Sequence, residues 1–408
     1  MSIRRRQGFQ SLRWPSPATL LVLLTAVAAL ALTLAPDTPG ALLPQSVVDR
    51  PLVTTTPIRG SFPVRYVQDP RQGPPVSAEA ALLLEVSTGT VLYAKDEHQR
   101  RAPASTTKII TALLAIESGR LQDAVTVSRR AAGVTGSSAY LSTGERYTLE
   151  ELLHGLMLPS GNDAAVAIAE HVGGSVSGFA AMMNRRAREL GAYDSHFVNP
   201  HGLDDPQHHT SAYDLALFAK TAMQYPTFAA VVGRRAYTAL SQQKTWHNTN
   251  RLLWSFEGAT GIKTGTTSRA GNCLVAAASR EGMQLISVVL GSSDRWADSA
   301  RLLEYGFSAF AVVELARRGD VVAEVPVAGA SSDLVVRVMA ADRLAVTVPI
   351  RQVKDVRGVV RLRQLFAPVG AGQPVGELEG YLADQPFARI PLVAGEPVPR
   401  LPWWRRIF

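Results

Sequence analysis

Apolar positions recur with two different periods along this chain, and the period predicts which segments are strands and which are helices. Residues 80–96 read AALLLEVSTGTVLYAKD, in which two apolar runs flank the turn residues STGT, so a β-hairpin is predicted. A helix is predicted to begin near Ser105, because Ile109, Leu113 and Ile116 follow at helical spacing. The folded region is therefore expected to start with a hairpin that leads into a helix.

Three more helices are predicted between residues 148 and 191. The first begins at Thr148, which forms a capping box with Glu151 and precedes an apolar stripe made of Leu149, Leu152, Leu153 and Leu156. The second covers DAAVAIAEHVGG, residues 163–174, with Asp163 as a helix cap rather than a catalytic acid. The third covers GFAAMMNRRARELG, residues 178–191.

Strand patterns return after Gly258. Residues 259–267, 272–279 and 283–291 have strand patterns, the last two joined by the short turn REG, and residues 298–310 return to helical spacing. Strands early and late in this region enclose the helices. The order predicts an α+β fold in which an antiparallel sheet packs against a helical group.

A different pattern begins at about residue 311. Short alternating runs are broken by Gly, Pro and Asp, which predicts a small separate β-rich domain over residues 311–398. Its predicted strands are 320–327, 333–340, 343–350, 359–369 and 374–382. Residues 399–408 end in LPWWRRIF, and these aromatic and basic side chains suit a membrane interface. A tail packed against the protein is the alternative.

The first 76 residues predict export followed by a tether. Residues 1–35 begin with the basic segment MSIRRRQGFQSLR and continue with Ala18–Ala35, which carries no charge, in the order of an export signal. The apolar length leaves a cleaved signal and a retained membrane anchor both open, and both place the rest of the chain outside the cytoplasm. Residues 36–76 contain nine prolines in 41 residues and predict an extended tether.

The net charge limits the kinds of binding partner, and the cysteine content limits the possible disulfides. The formal net charge is +8, which suits an anionic surface such as nucleic acid, acidic lipid or acidic cell wall. No run of alternating basic and aromatic residues favours nucleic acid, so no nucleic-acid partner is expected. A single cysteine, Cys273, excludes an internal disulfide, and the apolar run NCLVAAAS predicts that it is buried in a strand.

Ser105 and Lys108 stand three residues apart at the predicted helix start. Positions i and i+3 share a helix face, so Lys108 can act as the base that a nucleophilic serine requires. A lysine can do this only if burial or nearby cations lower its pKa. The same spacing occurs at Ser241 and Lys244, but that copy lies in a polar stretch without an apolar stripe and is interpreted as coincidence.

Two further motifs accompany the first. Ser160 and Asn162 lie in PSGND, a predicted loop between helices that can bring a serine and a carboxamide into a cleft. Lys263, Thr264 and Gly265 form KTG near the end of a predicted strand, where a lysine and a threonine can bind a carboxylate and glycine permits close approach. S-x-x-K, S-x-N and K-T-G in this order match the signature of penicillin-binding proteins and serine β-lactamases.

The resemblance extends beyond these motifs. APASTTKIITALLAIE, GLMLPSGNDAAVAIAEHVGG, DSHFVNPHGL, NRLLW and GIKTGTT resemble the D-alanyl-D-alanine carboxypeptidases, the low-molecular-mass penicillin-binding proteins of the S11 peptidase type. The resemblance covers residues 77–310, the predicted catalytic domain, and continues more loosely into the β-rich region. It implies a serine β-lactamase/penicillin-binding-protein-like transpeptidase fold followed by a small β-rich C-terminal domain. It also implies an exported enzyme at the extracytoplasmic face of the bacterial membrane, acting on peptidoglycan stem peptides and inhibited by β-lactams.

The resemblance also implies a role for each motif residue. Ser105 would attack the carbonyl between two D-alanines, Lys108 would take its proton, and Ser160 would relay a proton to the departing amine. Asn162 would donate to the substrate backbone and help to hold Lys108. Release of the acyl-enzyme by water would complete the reaction.

The remaining implied residues bind the substrate. Lys263 would attract the terminal carboxylate and keep Lys108 partly deprotonated. In the same motif, Thr264 would hydrogen-bond the carboxylate and Gly265 would let the substrate backbone approach closely. The backbone N–H groups of Ser105 and Thr266 would hold the oxyanion. Arg295 lies where relatives carry an arginine suited to the carboxylate.

Other candidates and other functions stay in view. No His-Glu-x-x-His spacing for zinc is present, and no metal site is expected. No cofactor is expected either. His208 and His209 are expected in a solvated loop, and His201 is expected to shape its loop rather than to catalyse. A β-lactamase, a D,D-endopeptidase and a non-hydrolytic penicillin sensor or wall-binding scaffold remain alternatives. The β-lactamase would need a deacylating glutamate, whose motif is not found after Asn162.

Overall fold

The structure is a computed structural model that describes residues 65–67, 69–330 and 334–401. The predicted export segment, the tether up to residue 64 and the tail residues 402–408 lie outside the described residues. No helix formed by the described residues is both long enough and apolar enough to cross a bilayer.

A five-stranded antiparallel sheet organises the first domain, in the order β2-β1-β9-β8-β7. Both of its faces are covered: along β1, Leu82 packs into one apolar cluster, whereas Leu83 packs into the other. Burial on both faces explains why this strand is a continuous apolar run rather than an alternating one. The strands of the sheet are β1 (Ala80–Glu85), β2 (Thr90–Lys95), β7 (Ala259–Thr267), β8 (Gly271–Arg280) and β9 (Met283–Ser292).

Most of the helices of this domain belong to the chain between β2 and β7. Their bounds are α1 Lys108–Glu117, α2 Arg129–Ala132, α3 Leu149–Met157, α4 Asn162–Gly173, α5 Val176–Glu189, α6 Ala212–Met223, α7 Pro226–Gly233 and α8 Leu252–Ser255. Two small hairpins, β3 (Ala124–Thr126) with β4 (Arg146–Thr148) and β5 (Ala236–Ala239) with β6 (Lys244–His247), lie among them. Helix α9 (Arg295–Ala309) contributes Leu302 and Leu303 to the cluster on the opposite face.

The predicted hairpin, helices and three late strands are confirmed, and so is the capping box of Thr148 and Glu151. Two details differ. Ser105 lies in a 3-10 turn, Ala104–Thr107, and the α-helix itself begins at Lys108. Asp163 is not the N-cap of its helix, which begins at Asn162 after Gly161. Its carboxylate instead accepts bonds from Ser138 Oγ and from the backbone N–H groups of Ala139 and Leu141, which holds that loop against the helix.

The β-rich C-terminal domain has a core of its own around Val336, Val338 and Leu392. Its main sheet has the order β11-β12-β16-β15-β14, and β10 pairs with β13. The strands are β10 (Phe310–Ala316), β11 (Val321–Pro326), β12 (Val335–Ala340), β13 (Leu344–Pro349), β14 (Val356–Leu362), β15 (Pro374–Leu382) and β16 (Gln385–Ala394). A 3-10 helix covers Ile350–Asp355. Strands β10 and β16 were not predicted.

Buried polar contacts join the two domains. The Glu85 carboxylate at the end of β1 is fully buried and accepts from Thr88 Oγ1 at 2.5 Å and from Thr347 Oγ1 of β13 at 3.1 Å. At the other end of the described chain, residues 66 and 67 pair with Val91, and Ala94 N–H donates to Pro70 O. The last residues of the predicted tether therefore lie against the hairpin.

Candidate active site

Ser105 and Lys108 are brought together at the junction between the 3-10 turn and helix α1. Lys108 Nζ lies 3.0 Å from Ser105 Oγ, which accepts its hydrogen bond. Ser105 is half-buried, whereas Lys108 has no exposed surface. The serine hydroxyl therefore has a lysine nitrogen in direct contact, which is the geometry required of a nucleophile and its base.

Lys108 is fixed from three sides. Besides Ser105 Oγ, its Nζ donates to Asn162 Oδ1 at 2.7 Å and to the carbonyl oxygen of His201 at 3.0 Å. Burial, reinforced by the nearby cation Lys263, holds the pKa of Lys108 well below its usual range. Burial disfavours the charged form, so the neutral amine that can accept a proton becomes available.

The loop before helix α4 supplies the second motif. The Asn162 side chain bridges Lys108 and the backbone, because its Nδ2 donates to Thr135 O at 2.6 Å while Oδ1 accepts from Lys108. Ser160 is buried in the left-handed region, with φ of 69°, and its Oγ has no hydrogen-bond partner among the described residues. A strained backbone and an unpaired buried hydroxyl are features that proteins retain at functional sites.

The third motif lies on β7, which is an edge strand of the sheet. Lys263 is only 1% exposed, and its Nζ donates to Thr264 O at 2.9 Å. Burial and, secondarily, the Arg295 guanidinium lower the pKa of Lys263 to about 7. Thr264 Oγ1 shares a hydrogen bond of 2.7 Å with Thr249 Oγ1.

Gly265 allows β7 to approach the serine turn. A Cβ atom at this position would lie 3.0 Å from the Ser105 nitrogen and 3.1 Å from Ala104 Cβ, so a side chain would force the strand and the serine turn slightly apart. The neighbouring Thr266 hydroxyl accepts from Arg295 Nη1 at 2.7 Å, and the same Nη1 donates to Gly265 O at 2.8 Å. The structure thus brings the third motif and Arg295 to the same place as Ser105.

Sequence reasoning missed how strongly the segment Asn199–Leu203 shapes the site. Gly202 has φ of +87°, and a Cβ there would overlap the Ala104 carbonyl. Pro200 O accepts from Thr111 Oγ1 at 2.7 Å, in addition to the bond between His201 O and Lys108. His201 contributes a backbone carbonyl to the site, as the expectation that it shapes its loop suggested. The signal that could have located this contact is the glycine in NPHGL.

The expectation for His208 was wrong. Its side chain is buried, and its Nε2 lies 2.9 Å from Thr107 Oγ1 in the serine turn. His209 is half-buried and pairs through its backbone with His196. His208 is buried because the segment 194–210 folds back onto helix α1, and a histidine in a polar run does not reveal this long-range contact.

The second Ser-x-x-Lys copy has a structural role. Ser241 Oγ donates to Glu151 Oε2 at 2.8 Å, and Lys244 forms an ion pair with Glu145 at 3.1 Å. Cys273 is buried in β8 as predicted, and burial raises the pKa of its thiol to about 11. Within the described parts of the chain, no group of three His, Cys, Asp or Glu side chains is arranged to hold a metal ion.

This arrangement can perform nucleophilic acyl transfer. A hydroxyl in contact with a lysine of lowered pKa can attack a carbonyl, and a buried cation near an open strand edge can bind an anionic group. An edge strand can also pair with an extended peptide. The features needed to bind and cleave the end of a peptide therefore lie within one site.

Comparisons with known proteins agree with this geometry. The D-alanyl-D-alanine carboxypeptidase family of the S11 peptidases matches residues 67–294, and the penicillin-binding protein 5 C-terminal domain matches residues 310–400. The D-alanyl-D-alanine carboxypeptidase DacF of Bacillus subtilis is 36% identical over 78% of this chain and 85% of its own length. The D-alanyl-D-alanine carboxypeptidase DacD of Escherichia coli is 35% identical over 80% of this chain and 88% of its own.

The structural comparison gives the same result. The crystal structure of penicillin-binding protein 5 from Haemophilus influenzae superposes with a TM-score of 0.69 at 30% identity, covering 80% of this chain and 99% of that one. The predicted fold class, an α+β penicillin-binding-protein-like domain followed by a β-rich domain, is confirmed.

Proposed function

The chain belongs to the D-alanyl-D-alanine carboxypeptidase family, and from this premise we propose how its residues release the terminal D-alanine of a peptidoglycan stem peptide. It is a serine-type peptidase hydrolase of the penicillin-binding class. The single observation that carries the proposed mechanism is the 3.0 Å contact between Ser105 Oγ and the fully buried Nζ of Lys108.

Acylation begins at Ser105. In its neutral form Lys108 keeps two N–H bonds, to Asn162 Oδ1 and His201 O, and turns its lone pair toward Ser105. Ser105 Oγ attacks the carbonyl carbon between the two D-alanines, and its proton passes to Lys108 Nζ. The resulting oxyanion is held by the backbone N–H groups of Ser105 and Thr266, which the close packing of Gly265 against the serine turn keeps near each other. Loss of one such donor typically raises the barrier by about 3–4 kcal/mol.

The leaving group and the acyl-enzyme need a second proton carrier. Ser160 Oγ lies two residues before Asn162 in the sequence, is buried and has no described hydrogen-bond partner, so it is free to relay the proton held by Lys108 to the departing D-alanine amine. This relay returns Lys108 to its neutral form. Breaking the C–N bond leaves an ester on Ser105. Water then attacks this ester while Lys108 takes a proton from the water. Lys108 returns that proton to Ser105 Oγ as the bond between the serine and the shortened peptide breaks.

Substrate orientation depends on the cations at β7. Lys263 and Arg295, with the hydroxyl of Thr264, attract the terminal carboxylate, while Asn162 and the open edge of β7 bind the peptide backbone. β-Lactams carry a carboxylate and a strained amide in a similar arrangement, and they acylate the same serine.

The proposed cellular location rests on the N-terminal segment, whose basic and apolar parts have the order of an export signal. We place the enzyme outside the cytoplasm, at the outer face of the cytoplasmic membrane, held there by the N-terminal segment and in addition by the tail 399–408. The basic net charge of +8 suits this anionic surface.

The first experiment compares soluble wild-type protein with Ser105→Ala. D-Alanine release from a synthetic peptide ending in D-Ala-D-Ala is measured beside labelling by a fluorescent penicillin. Ser241→Ala is the matched control, since it alters the other Ser-x-x-Lys copy. We expect release and labelling to vanish in Ser105→Ala alone.

Two results would contradict the proposal. Labelling that persists in Ser105→Ala would exclude this serine as the nucleophile. Labelling at Ser105 without D-alanine release would favour a sensor, a scaffold or an endopeptidase that requires cross-linked wall.

A further inference from the structure

His208 is a buried side chain that the proposed mechanism does not use. It is 1% exposed and lies on the segment that folds back over helix α1. Both of its ring nitrogens have partners: Nε2 lies 2.9 Å from Thr107 Oγ1, and Nδ1 lies 3.2 Å from the backbone nitrogen of Val198. The two hydrogen bonds fix the orientation of the ring beside the turn that contains Ser105.

The two partners determine the tautomer. The backbone N–H of Val198 can only donate, so Nδ1 must accept and carries no proton. In a neutral imidazole the proton is then on Nε2, which donates to Thr107 Oγ1. Burial, above all, lowers the pKa of His208 to about 4, so this neutral form is the one present at neutral pH.

Thr107 connects this bond to the reacting atoms. It is the last residue of the 3-10 turn that contains Ser105, and Lys108 follows it directly. Its hydroxyl is fully buried, and His208 is its hydrogen-bond partner. The orientation of Thr107 therefore affects the positions of both reacting residues.

The other attachments of the segment reach the site through backbone atoms. The carbonyl of His201 accepts from Lys108, that of Pro200 accepts from Thr111, and Gly202 packs against the Ala104 carbonyl. The bond from His208 is the one made by a side chain to the turn itself. It can consequently be removed without altering the backbone of the segment.

We propose that His208 is a positioning residue for acylation, which donates from Nε2 to Thr107 and so holds the Ser105 turn at its working distance from Lys108. This inference rests on the proposed function, in which Ser105 is the nucleophile. A displacement of about 1 Å between reacting groups can cost roughly a hundredfold in rate.

The test measures the second-order rate of acylation by a fluorescent penicillin, together with the melting temperature. His208→Leu removes the donor, whereas His208→Gln places an N–H donor where Nε2 stands. Thr107→Val removes the acceptor from the other side of the same bond. His209→Leu is the matched control, because its side chain does not contact the serine turn.

We expect His208→Leu to slow acylation roughly ten- to a hundredfold. Thr107→Val should slow it similarly, and the double variant should be no slower than either one, because both remove one bond. His208→Gln should regain most of the rate even where its melting temperature stays low, since the ring contact with Phe197 is lost. If His208 had only a structural role, the acylation rate and the melting temperature would fall and recover together.

Three results would overturn the inference: a wild-type rate in His208→Leu, a rate in His208→Gln as low as in His208→Leu, or losses that multiply in the double variant. If His208→Leu does not fold, Thr107→Val and His208→Gln decide the question in the same way. Failure of the proposed function would appear separately, as wild-type protein that is not labelled at Ser105.

Discussion

Charged side chains are used in opposite ways by the two domains. In the catalytic domain, Lys108 and Lys263 are almost fully buried, and burial lowers the pKa of each. In the C-terminal domain, Arg361 and Arg337 are exposed and form ion pairs with Glu379 and Glu396. Those pairings raise the pKa of both arginines.

The difference agrees with the proposed active site. Burial without a carboxylate partner destabilises the charged form of an amine. Proteins keep such buried amines where a neutral or easily neutralised amine is useful. An exposed ion pair costs little and contributes little. Substitutions in the two domains should therefore separate activity from stability.

The largest effect is expected from Lys108→Met. The variant keeps the length of the side chain but removes the base, and general-base catalysis typically contributes about a hundred- to ten-thousandfold. Acylation by penicillin should fall by that order while the melting temperature stays equal or rises, since a buried amine is removed. Lys244→Met is the control, and a Lys108→Met enzyme that acylates at the rate of this control would contradict the assignment.

The second-largest effect is expected from Gly202→Ala. Its Cβ would overlap the Ala104 carbonyl behind Ser105, so both stability and acylation should fall. Gly174 also has a positive φ, of +70°, but open space around it, so Gly174→Ala should cost only about 1 kcal/mol of strain. Equal losses of activity in the two variants would show that the contact with the serine turn does not matter.

A smaller effect concerns pH. An unfolded lysine has a pKa of about 10.4, so between pH 7 and that value the unfolded chain binds a proton that folded Lys263 has lost. The free energy of unfolding should therefore rise with pH across this window, and the rise should be reduced in Lys263→Met. Denaturant titrations at several pH values measure it.

Deprotonation of Lys263 should also change the KM for the peptide substrate. As pH rises past about 7, Lys263 loses its charge and attracts the terminal carboxylate less, so KM for the peptide should increase. In Lys263→Met, KM should be high throughout. A KM of wild-type protein that is independent of pH up to pH 9 would argue against a carboxylate-binding role.

The smallest effect is expected in the C-terminal domain. A double-mutant cycle of Arg361→Ala and Glu379→Ala should give a coupling of about 0.2–1 kcal/mol, because the pair is exposed. D-Alanine release by the soluble protein should not change. A loss of activity comparable to that of Gly202→Ala would show that this domain takes part in catalysis.

Much of the fold could be predicted from local pattern. The hairpin at residues 80–96, the helix capped by Thr148 and the strands after Gly258 were all found, because their turn residues and apolar spacing are local signals. The helices α6 and α7, the small hairpins β3–β4 and β5–β6, and the strands β10 and β16 were missed. β10 directly follows a helix without a break in apolar pattern, and β16 contains two prolines that weaken a strand prediction.

The candidate site was found through motif order rather than geometry. The sequence located Ser105, Lys108, Ser160, Asn162, Lys263 and Arg295, but it could not say which atoms meet. The contact of Lys108 with the carbonyl of His201 and that of His208 with Thr107 join residues about a hundred positions apart. No local pattern encodes such pairs.

By itself the sequence determined many of the elements, the family and the candidate reactive residue types, because these depend on local spacing and side-chain chemistry. Only the tertiary structure decided which charged side chains are buried away from solvent. Burial of Lys108 and Lys263, and hence the direction of their pKa shifts, results from the packing of the helices, the sheet and the segment 194–210 around them. The same Ser-x-x-Lys spacing at Ser241 and Lys244 gives no such serine–lysine pair, because each side chain bonds to a glutamate, Ser241 to Glu151 and Lys244 to Glu145.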